Sequence, residues 1–508
     1  MSLATTVAVC LTGLSGHVIS VQAQCAYSVP GFALVGLPDT ALSESRDRVR
    51  AAILSSRIPF PNKKVTVNLS PASLPKAGSA YDVAIAIAIL AGEGYLPSRG
   101  LDRWIHLGEL GLDGRLQPVR GVLPMVAAAV KSGYRDVIVP TANYPEATLV
   151  PGAQVQGATT LADVIALHGG EPPFRPVMEP AMPPTVHAEA RHRGDLADVV
   201  GQHTAKMALE VAAAGGHHLF FTGPPGAGKT MLASRLPGIL PALSESQAVE
   251  VTSVHSISGT FDPGRGLVNR PPFEDPHHTA TPASIVGGGS GIPRPGAASR
   301  AHRGVLFLDE APEFNPRVLE TLRQPLESGE LVIHRSGGTA RFPARFQLIL
   351  ASNPCPCGMG SGKGVRCVCT PMARRRYTSR LSGPLLDRVD LQVAVDAVRP
   401  GLNPEPAESS ATVAGRVRAA RECSQQRLGG TTWCVNAEIP GPWLRGYLRS
   451  HRKALREVDR ALDAGTLSLR GADRVLRIAC TVGDLRGHSV PSAEDVGLAM
   501  MLRMGKLV

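Results

Sequence analysis

The stretch HLFFTGPPGAGKTMLASRL, residues 218–236, decides the fold of this 508-residue chain. An apolar, strand-like run precedes a segment that fits the pattern G-x-x-x-x-G-K-[ST], and a helix-like run follows it. In this order, backbone N–H groups can curl around phosphates, and a helix N-terminus adds a favourable partial charge. The sequence therefore predicts an α/β nucleotide-binding core with a parallel sheet.

The phosphate loop itself spans eight residues, all predicted to contact nucleotide: Gly223, Pro224, Pro225, Gly226, Ala227, Gly228, Lys229 and Thr230. We expect the Lys229 amine to reach the β- and γ-phosphates and the Thr230 hydroxyl to bind Mg²⁺. ATP and Mg²⁺ are therefore the predicted cofactors.

Two carboxylates follow the next strongly apolar run, VLFLDE, residues 305–310. Four apolar residues predict a buried parallel strand, whose carboxyl end faces the ligand crevice of such a sheet. We expect Asp309 to hold the Mg²⁺ shell and Glu310 to polarise the attacking water.

Three further residues are candidates for the same site. Asn353 ends the strand-like run FQLILASN and is placed to orient the water or sense the γ-phosphate; the alternative is a turn asparagine. Arg388, on a predicted short helix before another strand, can stabilise developing charge, or pair with Asp387 or Asp390. Arg470 opens a predicted helix and is a candidate sensor, or a solvated surface arginine.

Four of the nine cysteines lie in one glycine-rich loop, 355–369: Cys355, Cys357, Cys367 and Cys369. Four thiolates can close a tetrahedral Zn²⁺ site, although C-x-C pairs are tighter than the common C-x₂-C spacing. Reduced free thiols are the alternative. Disulfides are less plausible in the cytoplasm that we expect for this chain.

The same loop runs into a basic segment, and the chain has a formal net charge of +11. Seven basic residues lie between 363 and 388, namely Lys363, Arg366, Arg374, Arg375, Arg376, Arg380 and Arg388. Such a cluster suits a phosphate backbone, or else a solvated or subunit-contact surface. Tyr377 is the one ring there that can stack on bases, so the sequence gives little support for base-stacking recognition.

Composition shifts predict the domain organisation. A proline-rich linker, 171–190, separates an α/β domain at 1–170 from the nucleotide-binding core at 191–400. A second proline-rich seam, 398–410, precedes a helical region at 401–508. No apolar run reaches 18 residues, so we expect no transmembrane helix.

Several long segments, among them PHHTATPASIVGGG, HRGVLFLDEAPEF, ASNPCPCG and RLSGPLLDRVDL, together resemble the Mg-chelatase-like AAA+ family, most closely its YifB/ComM group. The resemblance covers nearly the whole chain. It implies an AAA+ core with a helix-2 insert, a helical lid and a hexameric ring. For the ComM group it also implies ATP-driven movement on DNA, including branch migration during uptake of transforming DNA. The acids Glu274 and Asp275 in FEDPHH depart from the basic or neutral pair expected there.

Residues 1–170 resemble the proteolytic domain of Lon. The position of the catalytic serine is taken by Ala80, with Ser79 one place early, and Met125 stands where the lysine base should be. Lys76 and Lys131 fall out of register. Because a hydroxyl without an amine base is a poor nucleophile, we expect an inactive relative of the protease.

These observations together predict an ATP-hydrolysing ring motor acting on DNA. Two alternatives use the same core: a motor that inserts Mg²⁺ into a porphyrin, and an ATP-dependent peptidase or protein remodeller. The fused Lon-like domain disfavours the first, and Ala80 and Met125 disfavour the second.

Overall fold

The computed structural model describes residues 2–36, 40–74, 76, 78–175, 177–180, 194–289, 293–335, 338–360, 367–397 and 407–505. Several sequence predictions fall wholly or partly outside these ranges. They are residues 75 and 77 beside Lys76, residues 176 and 181–190 of the predicted linker, the basic residues Lys363 and Arg366, and residues 398–406 of the second seam.

Residues 2–167 contain the first α/β unit. Its strands are β1 (Ser2–Thr12), β2 (Ser15–Ala26), β3 (Gly31–Val35), β4 (Lys64–Ser70), β5 (Trp104–His106), β6 (Glu109–Leu110), β7 (Leu116–Gln117), β8 (Asp136–Pro140) and β9 (Gln154–Ala158). Its helices are α1 (Thr40–Ser55), α2 (Asp82–Gly92), α3 (Val122–Lys131), α4 (Tyr144–Ala147) and α5 (Leu161–Leu167). Seven strands form one mixed sheet in the order β3-β4-β2-β1-β5-β8-β9, while β6 pairs with β7.

Hydrophobic patterning explains the centre of this unit. The β1–β2 hairpin turns at Gly13, whose φ of 64° lies in the left-handed region that glycine tolerates best. Helix α2, DVAIAIAILAG, is apolar on all sides and buried from Asp82 to Ala91, as a helix covered by a sheet and other helices must be.

The second α/β unit is built on a parallel five-stranded sheet. The strands of this unit are β10 (Leu219–Thr222), β11 (Phe273–Glu274), β12 (Gly287–Gly288), β13 (Arg294–Pro295), β14 (Val305–Leu308), β15 (Glu330–Arg335), β16 (Gly338–Pro343), β17 (Gln347–Ser352) and β18 (Leu391–Ala394). The sheet order is β11-β14-β17-β10-β18, and every pair in it is parallel. Strands β12–β13 and β15–β16 form separate antiparallel hairpins. The predicted parallel-sheet core is confirmed.

The helices of the second unit flank this sheet. They are α6 (His203–Gly215), α7 (Lys229–Ile239), α8 (Glu245–Ser258), α9 (Pro282–Val286), α10 (Ala297–Arg300), α11 (Pro316–Thr321), α12 (Arg323–Ser328), α13 (Pro371–Thr378) and α14 (Gly383–Leu386). Because β10 lies between β17 and β18, the turn from β10 into α7 opens at the sheet's carboxyl edge, inside the edge strand β18.

Five helices complete the described chain: α15 (Ser410–Arg427), α16 (Gly441–Tyr447), α17 (Arg452–Asp463), α18 (Leu469–Arg486) and α19 (Ala493–Met504). They share one apolar cluster with residues of α6, α7 and β10, so the helical region packs directly on one face of the second sheet. Within the described part of the chain, we find no helix with the length and hydropathy needed to cross a bilayer.

The first unit contacts the second through α8 and the β15–β16 hairpin. The hydroxyl of Ser256, on α8, donates to the Glu146 carboxylate of the first unit. Burial raises the pKa of Glu146, and the bonds from Ser256 and the Leu123 N–H oppose that rise. At the β1–β2 turn, the backbone N–H of Leu14 donates to the carbonyl of Arg341 at 3.3 Å. A buried carboxylate and a backbone bond therefore fix this contact.

Candidate nucleotide site and its surroundings

The phosphate loop forms a concave turn between β10 and α7. Gly226 and Gly228 have φ values of 76° and 89°, and a Cβ on either glycine would meet no heavy atom within 4 Å. At Gly223 a Cβ would instead lie 2.1 Å from the carbonyl oxygen of Val395, so the approach of the chain after β18 requires glycine. The loop thus offers open space and backbone donors where a polyphosphate fits.

Lys229 begins α7 and is only 8% exposed. Its ammonium donates to the carbonyls of Gly223 and Pro224 at 2.7 and 2.9 Å, and to Oδ1 of Asn353 at 3.1 Å. Burial lowers the pKa of Lys229, and the charges of Asp309 and Glu310 oppose that effect. The predicted lysine and the predicted asparagine therefore meet, which the parallel pairing of β10 with β17 makes possible.

Oxygen ligands suited to Mg²⁺ lie beside the lysine. The Thr230 hydroxyl donates to Oδ2 of Asp309 at 2.5 Å, although the two residues come from α7 and the end of β14. A hydroxyl and a carboxylate are hard oxygen donors of the kind that Mg²⁺ prefers. The residues present therefore fit the Mg²⁺–ATP predicted from the sequence.

Glu310 leaves the strand in an unusual conformation. Its φ of 49° lies in the left-handed region, which is uncommon for a residue with a side chain and often marks a functional site. The side chain is half-exposed, and its Oε2 lies 3.5 Å from Nδ1 of His278. The sequence did not identify His278 as a candidate site residue, because in the segment FEDPHH only the acids Glu274 and Asp275 departed from the expected pattern.

The acid Glu274, which departed from the expected pattern, has a local partner. Its carboxylate accepts from Arg300 at 2.8 and 3.1 Å, and burial raises the pKa of Glu274 while Arg300 opposes that rise. Adjacent His277 packs on His278 with ring centroids 4.1 Å apart. In this segment His278, rather than Glu274, approaches the Glu310 carboxylate.

Arg388 and Arg470 lie together, but away from this loop. Both line a cavity of about 310 Å³ with Leu326, Glu327, Asp387, Asp473, Arg474 and Arg477, and none of the loop residues 223–230 lines it. Arg388 follows α14 rather than lying on it, which corrects the predicted short-helix position. The arginine predicted to stabilise developing charge and the candidate sensor thus line the same cavity.

The acidic partner of Arg388 differs from the two that the sequence suggested, whereas Arg470 is largely exposed. Arg388 donates to Glu327 and, at 2.6 Å, to the carbonyl of Pro384. Burial, with the positive charges of nearby arginines, lowers the pKa of Arg388. Arg470 is 81% exposed and lies 3.5 Å from Asp387. Arg388 therefore pairs with an acid of α12, not with Asp387 or Asp390.

The four cysteines of residues 355–369 cluster as predicted. Their Sγ atoms all lie within 4.8 Å of one another, and three of the separations are 3.4, 3.6 and 3.6 Å. A tetrahedron with Zn–S bonds of about 2.3 Å has S···S edges of about 3.8 Å. These spacings are too long for disulfides, and all four residues are free thiols.

The basic segment forms α13. Arg375 and Arg376 are exposed, and neither they nor Arg374 has an ion pair among the described residues. Tyr377 is buried, and its hydroxyl pKa is raised by burial while a hydrogen bond with Ser352 opposes that rise. The ring is not free to stack on bases, because its side chain packs towards β17, which agrees with the weak support for base stacking in the sequence.

The positions that correspond to a Ser–Lys dyad carry no such pair. Ala80 and Met125 belong to one buried apolar cluster. The Ser79 hydroxyl instead donates to the carboxylate of Glu109. Lys76 is 1% exposed, and its ammonium donates to the carbonyls of Pro71 and, at 3.1 Å, Leu74. Burial lowers the pKa of Lys76.

The parallel sheet, the phosphate loop after β10 and the carboxylates at the end of β14 define an AAA+-type P-loop ATPase. Sequence comparison agrees: residues 195–402 match the family described as magnesium chelatase, subunit ChlI. Residues 21–143 match subunit ChlI of Mg-chelatase, and residues 407–503 match its C-terminal region.

Similar proteins extend over the whole chain. It is 40% identical over 511 residues to competence protein ComM of Haemophilus influenzae, and 99% of each chain is covered. It is 41% identical over 494 residues to the uncharacterised protein YifB of Escherichia coli, with 97% of this chain and 95% of the relative covered. An uncharacterised protein of Mycobacterium tuberculosis is 48% identical over 504 residues, 99% of each chain. The chain belongs to the Mg-chelatase-like AAA+ family, in its YifB/ComM group.

Proposed function

We propose that this protein is an ATP-hydrolysing ring motor that moves on or remodels DNA. The observation that carries the proposal is the convergence of Lys229, Thr230, Asp309 and Asn353 within hydrogen-bond distance at one edge of the sheet. In this proposal Lys229 binds the β- and γ-phosphates, and Thr230 and Asp309 hold Mg²⁺. Asn353 orients the attacking water, and Glu310 polarises it.

The proposed assembly is a homo-oligomeric ring, a hexamer. Arg388 and Arg470 line a cavity separate from the phosphate loop, so they serve the nucleotide of a neighbouring copy in this proposal. An interface between two different faces of identical subunits closes into a ring when the rotation permits. Each ATP site is then completed by two chains, which makes hydrolysis dependent on assembly.

DNA is the proposed substrate, and branch-migration-type remodelling in recombination or natural transformation is the proposed work. Support comes from the exposed Arg375 and Arg376 on α13, which lack acidic partners among the described residues. Side chains of this kind bind phosphate backbones and give salt-sensitive affinity. The Haemophilus relative is named a competence protein, and this name is consistent with DNA as the substrate.

The proposal includes three further parts. Cys355, Cys357, Cys367 and Cys369 bind Zn²⁺, a role supported by Sγ atoms that all lie within 4.8 Å of one another. Residues 1–170 form a domain without peptidase activity, followed by a linker at 171–190, the ATPase core at 191–400 and a helical lid at 401–508. The protein works in the cytoplasm, where free thiols stay reduced.

The decisive experiment measures steady-state ATP hydrolysis with no DNA and with single-stranded, duplex or four-way-junction DNA. We expect DNA to raise the rate, and Glu310→Gln to abolish hydrolysis in every condition while ATP binding is retained. An Arg375→Gln/Arg376→Gln variant should keep the basal rate and lose the stimulation. If none of the DNAs changes the rate of ATP hydrolysis, the proposed substrate is refuted. A rate that changes when porphyrin is added would favour the chelatase alternative.

A further inference from the structure

The cysteine loop packs directly on the phosphate loop. Gly358 follows the first cysteine pair, and its φ is 76°. A Cβ at this position would lie 2.5 Å from Cγ of Pro225, the third residue of the phosphate loop. The backbone N–H of Gly358 donates to the carbonyl of Cys355 at 2.9 Å, which closes the turn that makes this contact. The thiol cluster and the nucleotide site are therefore neighbours in space.

The same cysteine pair is also joined to the site along the chain. Cys355 is fully buried and lies two residues after Asn353, whose Oδ1 accepts from the Lys229 ammonium. The Asn353 carbonyl in turn accepts from the Ser352 hydroxyl at 2.7 Å. Any shift of Cys355 is thus transmitted over two residues to the group that contacts the catalytic lysine.

The second pair anchors the opposite end of the loop. Cys369 immediately precedes Thr370, whose side chain caps α13 by accepting from the N–H of Ala373. A metal ion held by all four thiolates would join the start of α13 to the segment that contacts Pro225 and carries Asn353. Because glycine-rich chain loses much conformational freedom on ordering, metal–ligand bonds are an effective way to fix it.

We propose that this Zn²⁺ centre positions the phosphate loop and Asn353, so that affinity for ATP depends on bound zinc. The inference rests on the proposed ATP and zinc sites, and it adds a physical link between them. Zinc itself takes no part in phosphoryl transfer. Its four thiolate bonds leave no open coordination position, as in structural zinc sites.

The test compares wild-type protein with Cys357→Ser and with the matched control Cys423→Ser. Cys423 is an exposed thiol on α15, outside the cluster. Zinc content is measured by mass spectrometry of the metal, and ATP affinity by titration with a fluorescent ATP analogue. We expect about one zinc per chain in the wild type and control, and loss of zinc with about tenfold weaker ATP binding in Cys357→Ser.

Chelation of the full-length wild type provides a second measurement that needs no substitution. Removal of zinc should weaken ATP binding to the same extent, and added Zn²⁺ should restore it. Zinc loss with unchanged ATP affinity would overturn the link but leave both sites standing. A wild type without zinc would overturn the metal site and the link with it, but not the proposed ATP site. A zinc-loaded wild type that fails to bind ATP would instead refute the proposed function.

Discussion

Replacing Arg388 with alanine tests whether the ATP site is completed by a second subunit. An arginine that stabilises the transferring phosphoryl group contributes about 10³–10⁵ in kcat, or roughly 4–7 kcal/mol of transition-state stabilisation. The structural cost of the change is small by comparison. The Arg388 side chain is 18% exposed and that of Glu327 is 65% exposed, and an ion pair with one partner in solvent contributes about 0–1 kcal/mol to stability.

We therefore expect Arg388→Ala to fold and to bind ATP with unchanged affinity, while hydrolysis falls by at least about 10³-fold. Arg449→Ala is the control, because Arg449 is exposed and outside the cavity that Arg388 lines. The thermal midpoint of each variant, measured by circular dichroism, separates lost catalysis from lost folding.

Mixing two inactive variants makes the test specific for the neighbouring subunit. Lys229→Ala lacks a working phosphate loop but keeps Arg388, and Arg388→Ala has the reverse combination. In randomly mixed rings of equal parts, about a quarter of the interfaces join an intact loop to an intact arginine. Hydrolysis should then recover to about a quarter of the wild-type rate if sites act independently. Mixed rings that assemble, as seen by light scattering, yet stay inactive would refute the shared site.

The remaining predictions concern the catalytic carboxylate, the basic helix and a buried histidine. His278→Ala should change the basal rate of hydrolysis severalfold without altering ATP affinity, because Nδ1 of His278 lies 3.5 Å from Oε2 of Glu310. If the steady-state rate and the affinity measured by nucleotide titration both change, a positioning role for His278 is contradicted. Arg375→Gln/Arg376→Gln should make the slope of log affinity for duplex DNA against log salt concentration shallower by about 1–2. An unchanged slope would show that these arginines of α13 do not contact the DNA phosphates. Burial lowers the pKa of His106 to about 3. Above about pH 6.5 the imidazole is neutral in both the folded and the unfolded state, so it does not reduce the free energy of unfolding. As pH falls from 6.5 towards 3, the unfolded state binds the proton first, and the free energy of unfolding should drop by about 1.4 kcal/mol per pH unit from this group. Urea titrations at pH 7, 6 and 5 check this, and a His106→Gln variant should have a smaller pH dependence.

Much of the nucleotide site was predictable because its residues lie in continuous segments with a fixed local geometry. Lys229 and Thr230 follow the phosphate-loop pattern, and the apolar run before Asp309 indicates a buried strand. Parallel strands bring their carboxyl ends to the same edge, so the meeting of Asn353 with Lys229 followed from strand order. The cysteine cluster was also predictable, since a short loop limits how far four thiols can separate.

Other features depended on contacts between segments that no local pattern links. His278 carries no motif, and only the pairing of β11 with β14 brings it beside Glu310. Tyr377 reads as a free ring in a basic segment, but the packing of α13 buries it.

By itself, the sequence determined the two α/β units, the phosphate loop, the carboxylates after the apolar strand at 305–308 and the four-cysteine loop. Each of these is specified by residues close together in the chain or by the periodic burial of one strand or helix. Only the tertiary structure decided that Arg388 and Arg470 share a cavity apart from the phosphate loop, and that Gly358 rests on Pro225. These relations depend on how helices and loops pack across the sheet, and the sum of many weak side-chain contacts sets that packing.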